Sequence, residues 1–134
     1  MYEYNAVIDS IYDGDGSFGS VVDLGMGIYL HKKIRLFGVD TPEMRGEQHD
    51  AGQVVRDFVR KLALGKKVVI KTQKDATGKY GRLLAEISIE YNGEHIDLSE
   101  LLVQQGFAKR YYGGKKELWT PQELLLISER AENV

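Results

Sequence analysis

Glycine-rich turns divide the first forty residues into three short segments of strand-like sequence, and no helical pattern separates these segments. Residues 3–12, 18–23 and 28–39 contain many β-branched and aromatic side chains, which favour strands. The runs Asp-Gly-Asp-Gly at 13–16 and Leu-Gly-Met-Gly at 24–27 are typical of tight turns. Three strands joined this closely can form an antiparallel meander, whereas parallel strands need long crossover connections.

Three helices are predicted after this meander. Apolar residues recur with helical spacing over 47–64, and Gly65 stands at the position of a C-terminal cap. A shorter helix is expected over 99–105, where Gly106 ends it. The last helix begins at Thr120-Pro121-Gln122-Glu123, which has the pattern of a capping box with proline at the first helical position.

Further strands are predicted at 66–73, 82–91, 95–97 and 107–112. Strands and helices do not alternate along the chain, so a βαβ arrangement is disfavoured. Short strands with a helix after the third indicate an α+β fold that is mostly β, a five-stranded OB-fold barrel with three α-helices. We expect a single domain over residues 1–134, since this length is typical of one domain.

Composition excludes several kinds of chemistry. The chain has no cysteine, which excludes disulfides, thiolate nucleophiles and Cys-based zinc sites. No apolar run approaches the ~20 residues that a membrane span requires. The N-terminus has neither the basic patch nor the apolar run of a secretory signal, so an intracellular location is favoured, or a secreted one if a leader was removed.

The net charge of −2 argues mildly against a nucleic-acid partner, which usually meets a basic surface. A bound divalent cation would add positive charge where a phosphate must sit, and basic clusters can exist within an acidic total. Binding of nucleic acid is therefore expected to be transient and sensitive to salt.

Acidic side chains cluster at two turns. Asp13 and Asp15 lie in the first turn, and Asp40 and Glu43 lie at the end of the third predicted strand. In a meander these turns can meet at one end of the sheet, and carboxylate oxygens are the ligands that Ca²⁺ prefers. The alternative is that the acidic residues of the first turn serve only its geometry, since Asp and Gly dominate turns.

Basic residues also fall at informative places. Arg35 lies inside an apolar strand, where a buried guanidinium needs a partner; the alternatives are an exposed face or a structural ion pair. Arg35 and Asp40 fall on opposite faces of this strand and converge only if it bends or ends near Gly38, which a glycine permits. The second half of the chain mixes basic and aromatic residues that could contact phosphates and stack on bases, although tyrosines also fill β cores. These residues are Lys79, Tyr80, Arg82, Lys109, Arg110, Tyr111, Tyr112, Lys115 and Lys116.

Four segments, in this order, resemble the staphylococcal-nuclease-like (thermonuclease) family. They are IYDGD at 11–15, IRLFGVDTPE at 34–43, KYGRLLA at 79–85 and LVQQGFAK at 102–109. The resemblance covers about residues 5–131 and implies an OB barrel with three helices. It also implies a Ca²⁺-dependent endo- or exonuclease of DNA and RNA, with single strands favoured, that acts as a monomer and leaves 3′-phosphates.

The resemblance implies a metal site. Asp15 and Asp40 would supply carboxylates to Ca²⁺, and the carbonyl of Thr41 would be a third protein ligand. Gly16 departs from the family pattern, which usually has Thr or Ser there, so Asp13 is the alternative ligand.

The resemblance also implies roles in catalysis and substrate binding. Glu43 would act on the attacking water as general base or orienter, and Arg35 and Arg82 would hold the scissile phosphate. The residues that would contact the nucleotide are Lys79, Tyr80 and Tyr112. Two other hypotheses stay open, a catalytically silent nucleic-acid-binding OB module and a structural OB protein that binds proteins.

Overall fold

The computed structural model describes residues 2–77 and 81–130, without the side chains of 74–77. Its strands are β1 (Glu3–Ile11), β2 (Phe18–Asp23), β3 (Tyr29–Leu36), β4 (Val39–Asp40), β5 (Lys67–Thr77), β6 (Leu83–Tyr91), β7 (Glu94–Asp97) and β8 (Lys109–Arg110). Its α-helices are α1 (His49–Ala63), α2 (Leu98–Gln104) and α3 (Pro121–Ser128), and a 3₁₀ turn (Gly46–Gln48) precedes α1. Among the described residues, no helix is both long and apolar enough to cross a membrane.

Five strands close into a barrel. The first three form an antiparallel meander, as the short turns allow, and β1 also pairs with β5, which pairs with β6. The barrel closes where β3 runs parallel to β6, with Ile34 opposite Leu83 and Leu36 opposite Ala85. This architecture confirms the predicted OB fold, an α+β fold that is mostly β with three helices.

The core follows from the alternation of side chains along the strands. Ile8, Phe18, Ile34, Ile70 and Ile87 point inward and are fully buried. Helix α1 packs against β1, β6 and α3 and buries an apolar stripe that includes Val55, Val59 and Ala63. Burial of each large apolar side chain contributes about 1.5–3 kcal/mol to the free energy of folding. This packing fixes the loop between β1 and β2, which lies against Val55 of α1.

The strand predicted over 28–39 is divided at Gly38, where the sequence allowed a bend or an end. Strand β3 ends at Leu36, and Gly38 has a φ of +87°, which turns the chain before β4. The new direction lets β4 pair with β8, with Asp40 opposite Lys109, outside the barrel sheet. The predicted strand at 107–112 is likewise reduced to the two residues of β8. Only glycine adopts such a φ without strain, so this turn depends on Gly38.

The last helix begins as predicted. The Thr120 hydroxyl accepts from the Glu123 N–H at 3.2 Å, and Glu123 Oε1 accepts from the Thr120 N–H at 2.8 Å. Both halves of the capping box are present, with Pro121 at the start of the helix. Glu123 also accepts a hydrogen bond from Lys109 Nζ at 3.0 Å, which joins α3 to β8.

Candidate active site

The loop between β1 and β2 is organised by Asp13. Its Oδ1 accepts from the backbone N–H groups of Gly16 at 2.6 Å and Ser17 at 3.0 Å. The loop closes with a hydrogen bond from the Tyr12 N–H to the Ser17 carbonyl at 3.1 Å. Asp13 therefore performs the turn chemistry that the sequence offered as the alternative, and it shapes the loop that carries Asp15.

Asp15 is buried, with 8% of its surface exposed, and faces the segment after β4. Its Oδ2 accepts from the Thr41 N–H at 2.7 Å. Burial raises the pKa of Asp15 to about 6; Arg35 opposes this shift, while the charges of Asp13 and Asp40 add to it. Asp15 therefore lies close enough to Asp13 and Asp40 for their charges to interact.

Glycine is required at position 14 by the closeness of two other segments. A Cβ there would lie 2.7 Å from Val55 Cγ1 in α1 and 2.9 Å from Thr41 Oγ1. The Thr41 side chain is buried, and its hydroxyl has no hydrogen-bond partner within the described residues. The loop is thus closely packed between α1 and the Asp40–Thr41 segment. This packing holds Asp15 in place.

Arg35 has the partners that its place in an apolar strand requires, and most are backbone carbonyls. Its Nη1 donates to the carbonyls of Asp15 at 3.2 Å and Leu36 at 2.9 Å, and Nη2 donates to that of Val39 at 2.9 Å. Nη1 also lies 3.5 Å from Asp15 Oδ2, and the Arg35 side chain is 15% exposed. The guanidinium is therefore fixed between the first loop and the turn at Gly38.

Arg82 reaches the same loop from the start of β6. Its Nη1 donates to the Gly16 carbonyl at 2.6 Å. A Cβ at Gly16 would lie 3.0 Å from that nitrogen and 3.2 Å from Asp13 Oδ2, so glycine leaves room for the arginine. Arg35 and Arg82 are thus bound to the successive carbonyls of Asp15 and Gly16.

Asp40 and Glu43 lie in different surroundings. Asp40 is buried, and its Oδ1 lies 3.1 Å from Lys116 Nζ, a partner that no sequence pattern indicated. The Glu43 side chain is 46% exposed, and its Oε2 lies 2.8 Å from Arg45 Nε. A cavity of about 260 Å³ opens beside Glu43, and its lining is Tyr12, Asp13, Glu43, Met44 and Arg45.

Helix α1 fixes the backbone at Glu43. Gly52 lies in the first turns of this helix, and a Cβ there would collide with the carbonyl of Glu43 and come within 2.9 Å of the carbonyl of Pro42. The Glu43 N–H also donates to Gln48 Oε1 at 2.9 Å. Sequence reasoning missed Gly52, although a glycine inside an apolar helix pattern is a recognisable indication of close packing.

Tyr112 is an exposed aromatic residue near Arg35. The tyrosine is 67% exposed, and its ring packs on Phe37 with 5.6 Å between centroids. Together with Arg35 it borders a cavity of about 160 Å³. Lys79 and Tyr80, also predicted to contact a nucleotide, lie outside the described residues.

The oxygen groups of this site suit a hard cation. Among the described residues, no three His, Cys, Asp or Glu side chains converge as a metal site. Asp15 and Asp40 are nevertheless buried carboxylates whose charges interact, and the buried Thr41 lies beside both. Two carboxylates and a backbone carbonyl form a donor set that fits Ca²⁺, which takes the rest of its ligands from water and substrate.

Comparisons with known proteins agree with this geometry. The family model for staphylococcal nuclease homologues matches residues 33–133. Endonuclease YhcR of Bacillus subtilis is 30% identical over 119 residues, which cover 82% of this chain and 9% of that protein. Uncharacterized protein MJ1439 of Methanocaldococcus jannaschii is 29% identical over 134 residues, covering 81% of this chain and 64% of that protein. The chain thus spans less than two thirds of the length of either relative. Because the family model matches most of the chain, the chain belongs to the staphylococcal nuclease homologue family.

Proposed function

We propose that this protein is a Ca²⁺-dependent nuclease that hydrolyses phosphodiester bonds of DNA and RNA and leaves 3′-phosphates. Family membership and the similarity to an endonuclease support nuclease activity. The observation that carries the proposal is the binding of Arg35 and Arg82 to successive carbonyls of the loop that bears Asp15. This arrangement brings two guanidiniums beside a pair of buried carboxylates, as hydrolysis of an anionic diester requires.

In this proposal Asp15, Asp40 and the Thr41 carbonyl hold the metal ion. The raised pKa of Asp15 supports this role, because burial and two neighbouring carboxylates disfavour its charged form more than Arg35 favours it. When bound, Ca²⁺ supplies positive charge to a non-bridging phosphate oxygen and lowers the pKa of bound water. Asp13 is not assigned as a ligand, since its Oδ1 already accepts from two backbone N–H groups.

The arginines bind the scissile phosphate. Three donors of Arg35 go to backbone carbonyls, and a guanidinium has five. Nε and one hydrogen of Nη2 have no acceptor within the described residues, and they supply charge-assisted hydrogen bonds to phosphate oxygens. Because the other donors fix the plane of the group, its orientation needs little reorganisation during the reaction. A lysine could not hold the carbonyls and the phosphate together.

Glu43 accepts the proton of the attacking water. Its carboxylate is half exposed at the cavity beside the loop, so water reaches it directly. Arg45 Nε lies 2.8 Å from Glu43 Oε2 and helps to hold the carboxylate in position. Tyr112, exposed beside Arg35, stacks on a base of the bound nucleotide, and Lys79 and Tyr80 are assigned to the same nucleotide by family resemblance.

Cleavage assays test this proposal. Single-stranded DNA is incubated with the protein in Ca²⁺, in Mg²⁺ and in chelator, and the product termini are identified by their response to phosphatase. Glu43→Gln and Arg35→Lys are each expected to lower kcat by about 10²-fold. Arg56→Lys is the matched control, because Arg56 pairs with Asp57 on α1 at 3.2 Å. Absence of cleavage in Ca²⁺, or cleavage unchanged by chelator, would contradict the proposal.

One contact favours the second candidate, a catalytically silent nucleic-acid-binding module. Lys116 Nζ lies 3.1 Å from Asp40 Oδ1, where an ammonium group could take the place of a metal ion. In that case single-stranded DNA would bind without being cut, and Glu43→Gln would leave its affinity unchanged. Cleavage by the wild-type protein in Ca²⁺ excludes this alternative.

A further inference from the structure

Four side chains form a row on the outer face of β3. Tyr29, His31, Lys33 and Arg35 lie on one face of the strand, and the buried Ile34 and Leu36 lie on the other. The first three side chains of the row are exposed. The row therefore leads over the open surface of the barrel to the guanidinium assigned to the scissile phosphate.

The neighbouring strand leaves this row uncovered. The residues of β2 opposite Lys33 and His31 are Gly19 and Val21, which carry small side chains or none. Within the part of the chain that the structure describes, Tyr29, His31 and Lys33 have no side-chain hydrogen bond or ion pair. Their aromatic and basic groups are available to a ligand.

A residue at each end of the row lines a cavity. The cavity at Arg35 has a volume of about 160 Å³ and also borders Tyr112. The cavity at Tyr29 has a volume of about 520 Å³. Its lining is Asn5, Ala6, Val7, Val21, Asp23, Tyr29 and Lys67. His31 and Lys33 lie between the two cavities on the strand, so one extended ligand could occupy both.

We propose that a single strand of nucleic acid lies along this row, from the cavity at Arg35 to the cavity at Tyr29. The proposal deepens the nuclease function and rests on it for the position of the scissile phosphate. Successive residues of the row are about 6.8 Å apart, so the four residues extend over about 20 Å, a length that takes several nucleotides. The substrate is accordingly an extended single strand, because only unpaired bases are free to stack on side chains such as Tyr29.

The chemistry of the row assigns parts of the ligand to its residues. Lys33 binds a backbone phosphate next to the one held by Arg35, and Tyr29 stacks on a base. Asp23 lines the cavity at Tyr29 and repels phosphate, so this cavity takes a base. The amino groups of a base can donate hydrogen bonds to the Asp23 carboxylate. Lys67, on the same lining, attracts the backbone at the rim.

Fluorescence anisotropy in chelator tests the row without cleavage. Labelled single-stranded DNA of about 16 nucleotides is compared with a strand of about 4, the range of lengths that one OB fold covers. The longer strand is expected to bind at least about tenfold more tightly. Tyr29→Ala is expected to weaken its binding about tenfold. Lys33→Gln is expected to weaken it several-fold and to reduce the salt slope by about 0.7.

Lys32→Gln is the matched control. It removes the same charge one residue away, but Lys32 lies on the opposite face of β3, so a smaller loss of affinity is expected. Lys33→Arg should restore binding. Equal losses for Lys32→Gln and Lys33→Gln, or equal affinity for both strand lengths, would overturn the proposal. If single-stranded DNA binds to the row as expected but the wild-type protein in Ca²⁺ does not cut it, the proposed nuclease function is wrong and the proposed binding row is supported.

Discussion

Arg82 Nη1 donates to the carbonyl of Gly16 at 2.6 Å, joining two residues that are 66 positions apart in the chain. The same turn includes the Gly16 N–H that donates to Asp13 Oδ1. Gly16 thus connects the acidic loop to the arginine of β6. Its missing side chain matters, because a Cβ would meet both of these partners.

Gly16→Ala is expected to lower nuclease activity far more than stability. The new Cβ would lie 3.0 Å from Arg82 Nη1 and 3.2 Å from Asp13 Oδ2, so the arginine must move by a few tenths of an ångström or more. Since a misplacement of about 1 Å can cost 10²-fold, kcat should fall by about tenfold. Ser17→Ala is the control in the same loop, because it keeps the backbone N–H bonded to Asp13. Equal kcat values for the two variants would refute this role of Gly16.

Asp15 should make the metal-free protein less stable as pH rises. Its pKa is near 3.8 in the unfolded chain and about 6 in the fold, so between these values the folded state binds more protons. The free energy of unfolding therefore falls between pH ~4 and ~6, by about 3 kcal/mol at most. Asp15→Asn should be more stable than wild type at pH 7 in chelator and about equal to it near pH 4. Urea denaturation measures both differences.

The control for this pH effect is Asp57→Asn, which alters an exposed carboxylate on α1. This variant should follow the pH dependence of the wild type. Addition of Ca²⁺ at pH 7 should stabilise the wild type and not Asp15→Asn, since the amide is a weaker ligand. The prediction is wrong if the free energy of unfolding in chelator changes between pH 4 and pH 6 by the same amount in the wild type and in Asp15→Asn. That result would mean that ionisation of Asp15 does not destabilise the fold.

Gly52→Ala should destabilise the protein, although alanine is the better helix former. In an open helix this change would stabilise by about 1 kcal/mol. Here the Cβ would collide with the Glu43 carbonyl, so α1 must move away from the segment that carries Glu43. We expect a lower midpoint of thermal unfolding and a lower kcat. Gln53→Ala, at an exposed position of α1, should leave both nearly unchanged; an increase in stability with Gly52→Ala would contradict the close packing.

Much of the fold is predictable because local patterns agree with it. The turns of the meander, the apolar stripe of α1 and the capping box at Thr120 each depend on residues close in sequence, and all appear where expected. The break between β3 and β4 was only one of the possibilities at Gly38, because a glycine inside an apolar run fits a bulge, a bend or a plain strand equally well. Its effect depends on β8, which comes some seventy positions later and pairs with β4.

The site was less predictable than the fold. Buried arginines require partners, but the partners of Arg35 are mostly backbone carbonyls, and these have no sequence pattern. Lys116 was grouped with other basic residues as a contact for phosphate, whereas it lies beside Asp40. Such pairs arise from packing between distant segments, which spacing along the chain does not reveal. The roles of Arg35, Glu43 and Arg82 in catalysis remain predictions.

Lys116→Gln should increase the affinity for Ca²⁺. The ammonium group lies 3.1 Å from Asp40 Oδ1 and competes with a cation for that carboxylate. Because Lys116 is about half exposed, the gain is limited to roughly threefold to fivefold. Lys115→Gln is the matched control, since it removes the same charge from the neighbouring exposed residue and should leave the affinity nearly unchanged. Calorimetric titration with Ca²⁺ measures both variants. A lower affinity in Lys116→Gln would mean that the lysine holds Asp40 in position for the metal rather than competing with it.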